Sequence, residues 1–267
     1  MTQRKFAVIT GASSGIGLEL AKLAAADGFD LLLAADRSFD EAMAALSGFA
    51  VEVGSIQADL ATDEGVACLL GLVGERPVDV LVANAGHGLG HAFLEQDPKD
   101  WRHVIDSNVT GTLLLLQPIV RRMAARGEGR VLLTGSIAGH IAGSFQAVYN
   151  GTKAFVDSFS DALGNELKDS GVTVTCLKPG ATDTEFFARA DMLDTKVGQA
   201  KKDDPAAVAR TGWEAMLSGE RSVVHGLLNK LQVAGAKIAG GGVAAGMHRK
   251  QAEPGSAEDK SREEQAQ

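Results

Sequence analysis

Residues 6–17 read Phe6-Ala7-Val8-Ile9-Thr10-Gly11-Ala12-Ser13-Ser14-Gly15-Ile16-Gly17. An apolar run ends in a glycine-rich turn, and the stretch that follows, 18–26, is rich in Ala and Leu and reads as a helix. A run that is apolar throughout, rather than alternating, is a strand buried on both faces. Glycines in such a turn let backbone approach a ligand with no Cβ in the way. The helix that opens there presents free N–H groups and a partial positive charge, which suits a pyrophosphate. A tight strand–helix turn without a ligand is the plain alternative. A second alternative is the nucleophile elbow of hydrolases, because Gly11-Ala12-Ser13-Ser14-Gly15 fits G-x-S-x-G. An elbow has no use for Gly17, and the acids and histidines that follow are scattered, so the hydrolase reading is disfavoured.

Outward from this turn the same alternation repeats. Short apolar runs fall at 31–35, 51–58, 78–83, 131–134, 172–177 and 222–224, with helical patterns at 41–47, 62–74, 98–126, 147–170 and 205–218. Strands separated by helices imply right-handed crossovers and a parallel sheet covered on both sides. The expectation is an α/β, doubly wound, Rossmann-like fold in one domain. The chain has 267 residues, of which 45% are hydrophobic, enough for a sizeable core. Its formal charge is 26 − 34 = −8, a poor basis for non-specific binding of nucleic acid or an anionic membrane. Cys68 and Cys176 have no metal-ligand spacing, rule out a disulfide scaffold and suit a reducing compartment. There is no run of about 18 apolar residues to span a membrane. The apolar run after Arg4 and Lys5 breaks at Thr10, so no export signal is expected and a cytoplasmic location is. His87 and His91 sit among Gly86, Gly88 and Gly90 and read as loop or pocket-rim residues, not as a metal site.

The chain has one tyrosine, Tyr149, and Lys153 follows it by four positions in a helical stretch, so the two share a face. Ser136, thirteen residues earlier, stands just past the 131–134 run. That edge of a doubly wound sheet is where ligands sit. A phenol near pKa 10 exchanges protons poorly at neutral pH. A lysine cation about 4 Å away, at an effective dielectric of about 20, is worth about 4 kcal/mol to the phenolate, or up to about 3 pKa units. This spacing therefore predicts a Tyr149 phenol well below 10. Ser136 adds a hydrogen bond to a substrate oxygen carrying developing charge. These are parts for moving a proton on or off an alcohol or carbonyl oxygen, and the matching hydride must come from a cofactor. A Tyr–Lys pair alone is common surface decoration. The glycine turn and Ser136 are what single this one out.

Taken together, these residues resemble the short-chain dehydrogenase/reductase family over roughly 5–226. Thr10 to Gly17 is similar to its cofactor turn, Asn84-Ala85-Gly86 to its N-A-G, Ser136, Tyr149 and Lys153 to its Ser–Tyr–Lys set, and Pro179-Gly180 with Thr182 and Thr184 to its P-G segment. The resemblance implies an NAD(P)-dependent oxidoreductase that interconverts an alcohol and a ketone or aldehyde. Tyr149 would be the acid/base, Ser136 would orient the substrate oxygen, and Lys153 would also bind the nicotinamide ribose. Asn108 would hold a water in a proton relay, Asp59 with Leu60 would meet the adenine, and Pro179 to Thr184 would embrace the nicotinamide. It also implies a homodimer or homotetramer through helices at about 109–126 and 147–170, which fits Leu113-Leu114-Leu115-Leu116, apolar all round a helical turn. A cofactor-binding scaffold without turnover is the rival reading, although a pure binder has no need of Ser136 and Tyr149 together.

The cofactor's ribose is read at 34–37, Ala34-Ala35-Asp36-Arg37. An acid there accepts from the 2′-OH of NAD, whereas a base favours the 2′-phosphate of NADP. Counting from Gly17, neither family pattern is met without a shift. Asp36 inclines the reading to NAD, and Arg37 keeps NADP open. Ala138, His140, Phe145, Phe186, Phe187 and Met192 are the expected substrate lining, and they include no Arg or Lys, so a small uncharged carbonyl or alcohol is expected. Segment 184–204 reads as a mobile lid over the substrate, within a cofactor domain of 1–226. Segment 227–251 reads as a helical extension with a glycine break at 240–242, packed on protein rather than on a membrane surface. Segment 252–267, with five acids against two bases, reads as a disordered polar tail.

Overall fold

The computed structural model describes residues 4–257. Seven parallel strands form one sheet: β1 (Phe6–Thr10), β2 (Asp30–Ala35), β3 (Val53–Gln57), β4 (Val80–Ala83), β5 (Gly129–Thr134), β6 (Val172–Lys178) and β7 (Ser222–Val224). Their order across the sheet is β3-β2-β1-β4-β5-β6-β7. The direction of winding reverses between β1 and β4. Such a reversal opens a crevice beyond the carboxyl ends of the strands.

The two faces of the sheet explain the all-apolar runs. Ala7, Ile9, Leu31, Leu33, Val80, Val82 and Leu132 pack with Leu20, Ala21 and Ala24 of α1 (Gly15–Ala26) and with Trp213 and Met216 of α9 (Pro205–Ser218). The intervening residues Val8, Leu32, Leu81, Val131 and Leu133 pack the other way. They meet Leu69 of α3 (Asp63–Val73), Leu115, Ile119 and Met123 of α5 (Gly111–Arg126), and Val156 of α6 (Ala147–Glu166). Polar caps set the helix starts. Thr62 accepts from Gly65 N at 3.0 Å, and Asp97 and Asp204 each precede a proline at the first helical turn.

Two expectations are corrected. The stretch 98–126 is not one regular helix: α4 (Pro98–Ile105) passes through a wide turn at Asp106–Thr110 before α5. In Leu113 to Leu116, Leu115 and Leu116 are buried, and Leu114 is 41% exposed in the single chain, an outer face open to further cover. The polar segment from 252 is ordered where it can be described. Ala252 ends α11 and is buried, Ser256 Oγ accepts from Lys196 N at 3.0 Å, and Gly255 N donates to Asp194 Oδ2 at 2.7 Å. The rest of that segment, 258–267, lies outside the described residues.

The extension forms two helices, α10 (Leu227–Ala239) and α11 (Gly241–Ala252), broken at Gly240. It packs on the body through Asn229 Nδ2, which donates to Asp203 Oδ2 at 2.8 Å, and through Ser144 Oγ, which donates to Ala245 O at 3.0 Å. The outer side of α10 leaves Leu227, Leu228, Leu231 and Ile238 exposed. No described helix is long and apolar enough to cross a membrane. Between β6 and α9 lie α7 (Phe186–Arg189) and α8 (Lys196–Gln199). α2 (Asp40–Leu46) completes the set between β2 and β3.

Candidate active site

The glycine turn is packed as tightly as its composition suggests. Gly11 has φ +63°, and a Cβ there would lie 2.9 Å from Ala85 Cα. A Cβ on Gly17 would lie 2.0 Å from Gly11 O. Asn84 closes the turn from β4: its Nδ2 donates to Thr10 O at 3.1 Å and to Gly11 O at 3.3 Å, while its Oδ1 accepts from Thr134 Oγ1 at 3.0 Å. Thr10 Oγ1 accepts from the N–H groups of Asn84 and Ala85, both at 3.0 Å. α1 opens here after Ser14, with no side-chain cap and no acid in its first turn, so the N–H groups around Ser13, Ser14, Gly15 and Ile16 face the crevice unneutralised. A dinucleotide's pyrophosphate fits this cradle. Asp59 and Leu60 stand just beyond β3, at the same edge of the sheet. Asp59 Oδ1 accepts from Ala61 N at 2.9 Å, and the Leu60 carbonyl lies against Gly111.

Asp36 and Arg37, just past β2, are both engaged by the segment after β6. Arg189 donates to Asp36 Oδ2, His87 Nε2 lies 3.3 Å from the same oxygen, and Arg37 pairs with Glu185. The hydrogen bond to His87 and the Arg189 guanidinium hold the Asp36 carboxyl well below the usual carboxylate range. Thr184 reaches the glycine turn itself, where a Cβ on Gly15 would meet its Cγ2 at 2.8 Å. Pro179 O accepts from Ile137 N at 3.0 Å, Thr182 Oγ1 donates to Gly180 O at 3.1 Å, and Thr182 bridges to Asp203.

Ser136, Tyr149 and Lys153 come together at the carboxyl ends of β5 and β6, and all three are buried. Ser136 caps the one-turn helix Ile137–His140, its Oγ accepting from Ala138 N at 3.1 Å. Ser136 Oγ also donates to Pro179 O at 3.4 Å. Lys153 Nζ donates to Thr134 O at 2.7 Å and lies 5.9 Å from the centre of the Tyr149 ring.

This geometry reverses the expected phenol shift. Burial pushes Tyr149 up to about 12, the nearby Ser136 hydroxyl only partly opposes it, and the charge of Asp157 adds to it. Burial pushes Lys153 down to about 8, with Asp157 pulling the other way. Close sequence spacing places two groups together, but it does not report the loss of water around them. In a dry site that loss is the larger effect.

Asn108 lies in the wide turn between α4 and α5, and such turns often occur at functional positions. Its Nδ2 donates to His87 O and Thr152 Oγ1, each at 2.9 Å, and its Oδ1 accepts from His87 N at 2.7 Å. Gly86 lies between this amide and Lys153: a Cβ on it would be 3.0 Å from Asn108 Oδ1 and 3.6 Å from Lys153 Nζ.

The expected lining residues divide into two groups. Phe186 stacks at a tilt on Tyr149, 5.1 Å between centroids, and fills the space above Gly88. Ala138 sits at the Ser136 turn. Phe187 and Met192 are buried in a small core with Ala190 and Ala252. Phe145 carries the Arg249 guanidinium 5.4 Å above its ring, and Lys202 lies 5.2 Å from the Phe187 ring. Both cations have other partners, Glu253 and Gly198 O. His140 faces inward to Asp157, at 3.4 Å. Sequence reading missed Asp157, Glu185 and Arg189. Only Asp157, one helical turn after Lys153, left a signal that could have been used. A hollow of about 430 Å³ between Arg4, Asp30, Glu52 and Arg76 lies at the opposite end of the strands and holds none of these residues.

Comparison with known proteins agrees with this geometry. Residues 5–192 match the family model of short chain dehydrogenases. A serine 3-dehydrogenase of Rhizobium radiobacter is 37% identical over 186 residues, 67% of this chain and 72% of that protein. Among solved structures, a short-chain dehydrogenase from Sphingobium yanoikuyae in complex with NADPH has a TM-score of 0.76 and 27% identity, covering 88% of this chain and 94% of that one. The bulky-bulky ketone specific alcohol dehydrogenase from Comamonas testosteroni gives 0.75 and 26%, covering 89% and 94%. With the parallel sheet, the glycine cradle and the buried Ser–Tyr–Lys set, these matches place the chain in the short-chain dehydrogenase family, as an enzyme of NAD(P)-dependent oxidoreduction.

Proposed function

We propose that this enzyme interconverts a small, uncharged ketone or aldehyde and its alcohol, with Tyr149 exchanging the proton. The observation that carries this reading is the burial of Ser136, Tyr149 and Lys153 together at the carboxyl edge of the sheet, with Phe186 packed on the phenol. The bound dinucleotide supplies or accepts the hydride. The glycine turn, Asn84 to Gly86, Lys153 and Pro179 to Thr184 would hold it, with Asp59 and Leu60 at its adenine. In the reducing direction the Tyr149 O–H passes its proton to the substrate oxygen as that oxygen gains charge, and Ser136 donates a second hydrogen bond to it. A phenol held up to about 12 is protonated at neutral pH, and it gives its proton up only as the substrate oxygen gains charge. Lys153 places a positive charge behind the phenol and favours the phenolate once the proton has left. Asn108 anchors the peptide at His87 beside this lysine, which suits a relay that restores the proton.

The inclination to NAD drawn from Asp36 finds no support. Arg189 neutralises that carboxylate, His87 lies against it, Arg37 stands next to it, and the Sphingobium relative binds NADPH. Two guanidinium groups at the end of β2 favour NADP(H). The apolar Phe145, Phe186 and Ala138 favour an uncharged substrate. Segment 184–204 acts as the lid, since it touches Tyr149, the glycine turn and the ribose site at once. The exposed Leu114 on α5 and Phe155 on α6 support a homo-oligomer built on these two helices. A panel of ketones and alcohols with NADPH and NADH, followed by nicotinamide absorbance, tests the reading. Turnover of uncharged carbonyls supports it, and tight cofactor binding with no turnover favours the scaffold reading.

A further inference from the structure

Beneath the Ser–Tyr–Lys set lies a buried carboxylate that the proposed reaction does not use. Asp157 is on α6, one turn beyond Lys153 and two beyond Tyr149, and its side chain is only 6% exposed. Its Oδ1 accepts from Cys176 Sγ at 3.4 Å. Its Oδ2 lies 3.4 Å from His140 Nε2 and 3.8 Å from Lys178 Nζ, and it has no hydrogen-bond partner. The carboxylate is pressed against the backbone that carries Ser136: a Cβ on Gly135 would come within 2.1 Å of Oδ1, and one on Gly139 within 2.7 Å of Oδ2. The titratable groups around it are therefore Lys153 and Tyr149 from its own helix, His140 from the turn after Ser136, and Cys176 and Lys178 from β6.

A buried carboxylate with an unbonded oxygen is costly: burial pushes the Asp157 carboxyl up, while Lys178, Cys176, His140 and Lys153 pull it down, and a fold retains such a group only where its charge is used or compensated. We propose that Asp157 is a positioning residue for proton transfer: one helical turn beyond Lys153 and two beyond Tyr149, it sets a buried carboxylate beneath both side chains and props the turn that presents Ser136. Lys153 has a backbone carbonyl as its hydrogen-bond partner, and burial works against its charge. Asp157, with Cys176 beside it, opposes that loss. The same field disfavours the Tyr149 phenolate, so one carboxylate holds both members of the pair in their protonated forms.

The proposal rests on the reading of Tyr149 as the proton donor, and its test separates the two. Tyr149 is the single tyrosine, so ultraviolet titration of the full chain reads one phenol. Asp157→Asn keeps the side chain's shape and removes its charge. A charge two helical turns away, at an effective dielectric of about 20, is worth about one pH unit. The Tyr149 midpoint should fall by about that amount. Above pH 10 Lys153 has lost its proton in both proteins, so this shift reads the carboxylate alone. The alkaline limb of kcat/KM for the dinucleotide, set by Lys153, should also move to lower pH. An unmoved phenol midpoint in a folded Asp157→Asn protein overturns the proposal. So does a loss of rate with both titrations unchanged, which would mark Asp157 as merely structural. Asp157→Ser carries the same expectation if the Asn variant fails to fold. The wild-type titration needs no variant, and a midpoint at or below 10 overturns the proposal by itself. A shifted midpoint in a protein that reduces no carbonyl upholds Asp157 and refutes the oxidoreductive role of Tyr149.

Discussion

Lys153 shows what a working site costs the fold. Its ordinary pKa of 10.5 falls to about 8 in the folded chain. Below pH 8 both folded and unfolded chains carry the ammonium, and only the folded one must bury it. Between about 8 and 10.5 the folded chain has released the proton while the unfolded chain still holds it, so stability from this group rises with pH. At 1.36 kcal/mol per unit the burden at pH 7 is about 3 kcal/mol, and the hydrogen bond to Thr134 O returns about 1 kcal/mol. Lys153→Met should therefore be more stable than wild type by about 2 kcal/mol at pH 7, with the gap closing toward pH 10, and inactive throughout. Urea unfolding at the two pH values measures this, and a variant less stable at pH 7 would refute the assignment of the lysine as a buried cation. The position of Lys153 was legible from its spacing to Tyr149, whereas its electrostatics were not. A four-residue interval places two side chains on one face without reporting that Phe186, Thr134 and Asp157 surround them.

Among the elements, the strands and the glycine turn were the most readable, because runs buried on both faces leave an unmistakable apolar signature. The wide turn at Asp106–Thr110 was not, since no proline or glycine marks its start and helical periodicity continues on both sides. The segment after β6 was legible as a lid by composition, but its partners were not. Glu185 meets Arg37 across 148 positions, and Arg189 meets Asp36 across 153. Exposed ion pairs of this kind contribute about 0–1 kcal/mol to stability, so their consequence lies in the ribose site they occupy. Arg189→Ala removes one guanidinium and leaves Asp36 free to repel a 2′-phosphate. KM for NADPH should rise about tenfold, equivalent to about 1.4 kcal/mol, with KM for NADH little changed and the melting temperature within a few degrees of wild type. Equal effects on the two cofactors would argue against a role for Arg189 in telling them apart.

For the molecule as a whole, the sequence conveyed one domain and a C-terminal extension, but it missed how the extension is used. Ala252 and Ser256 belong to a stretch whose polarity reads as solvent-bound, yet they dock against Met192, Asp194 and Lys196 because long-range partners lie outside any local pattern. The outward faces of α5 and α6 leave Leu114 and Phe155 each 41% exposed, with Phe155 stacked on Phe159 at 5.8 Å. Apolar groups of this size on the two longest helices suit burial against a second copy. Wild-type protein should sediment as a dimer or tetramer, and Leu114→Glu with Phe155→Glu should lower that mass with the monomer still folded. A wild-type monomer at micromolar concentration would rule the pairing out.

All of these consequences depend on Tyr149 as the group that exchanges the proton. Single-turnover oxidation of bound NADPH by an accepted ketone, in wild type and in Tyr149→Phe, isolates that step from binding. Loss of the phenol's proton should slow it by about a hundredfold or more with cofactor affinity unchanged, the usual worth of a positioned acid. A Phe variant that reduces the ketone at the wild-type rate would contradict the account.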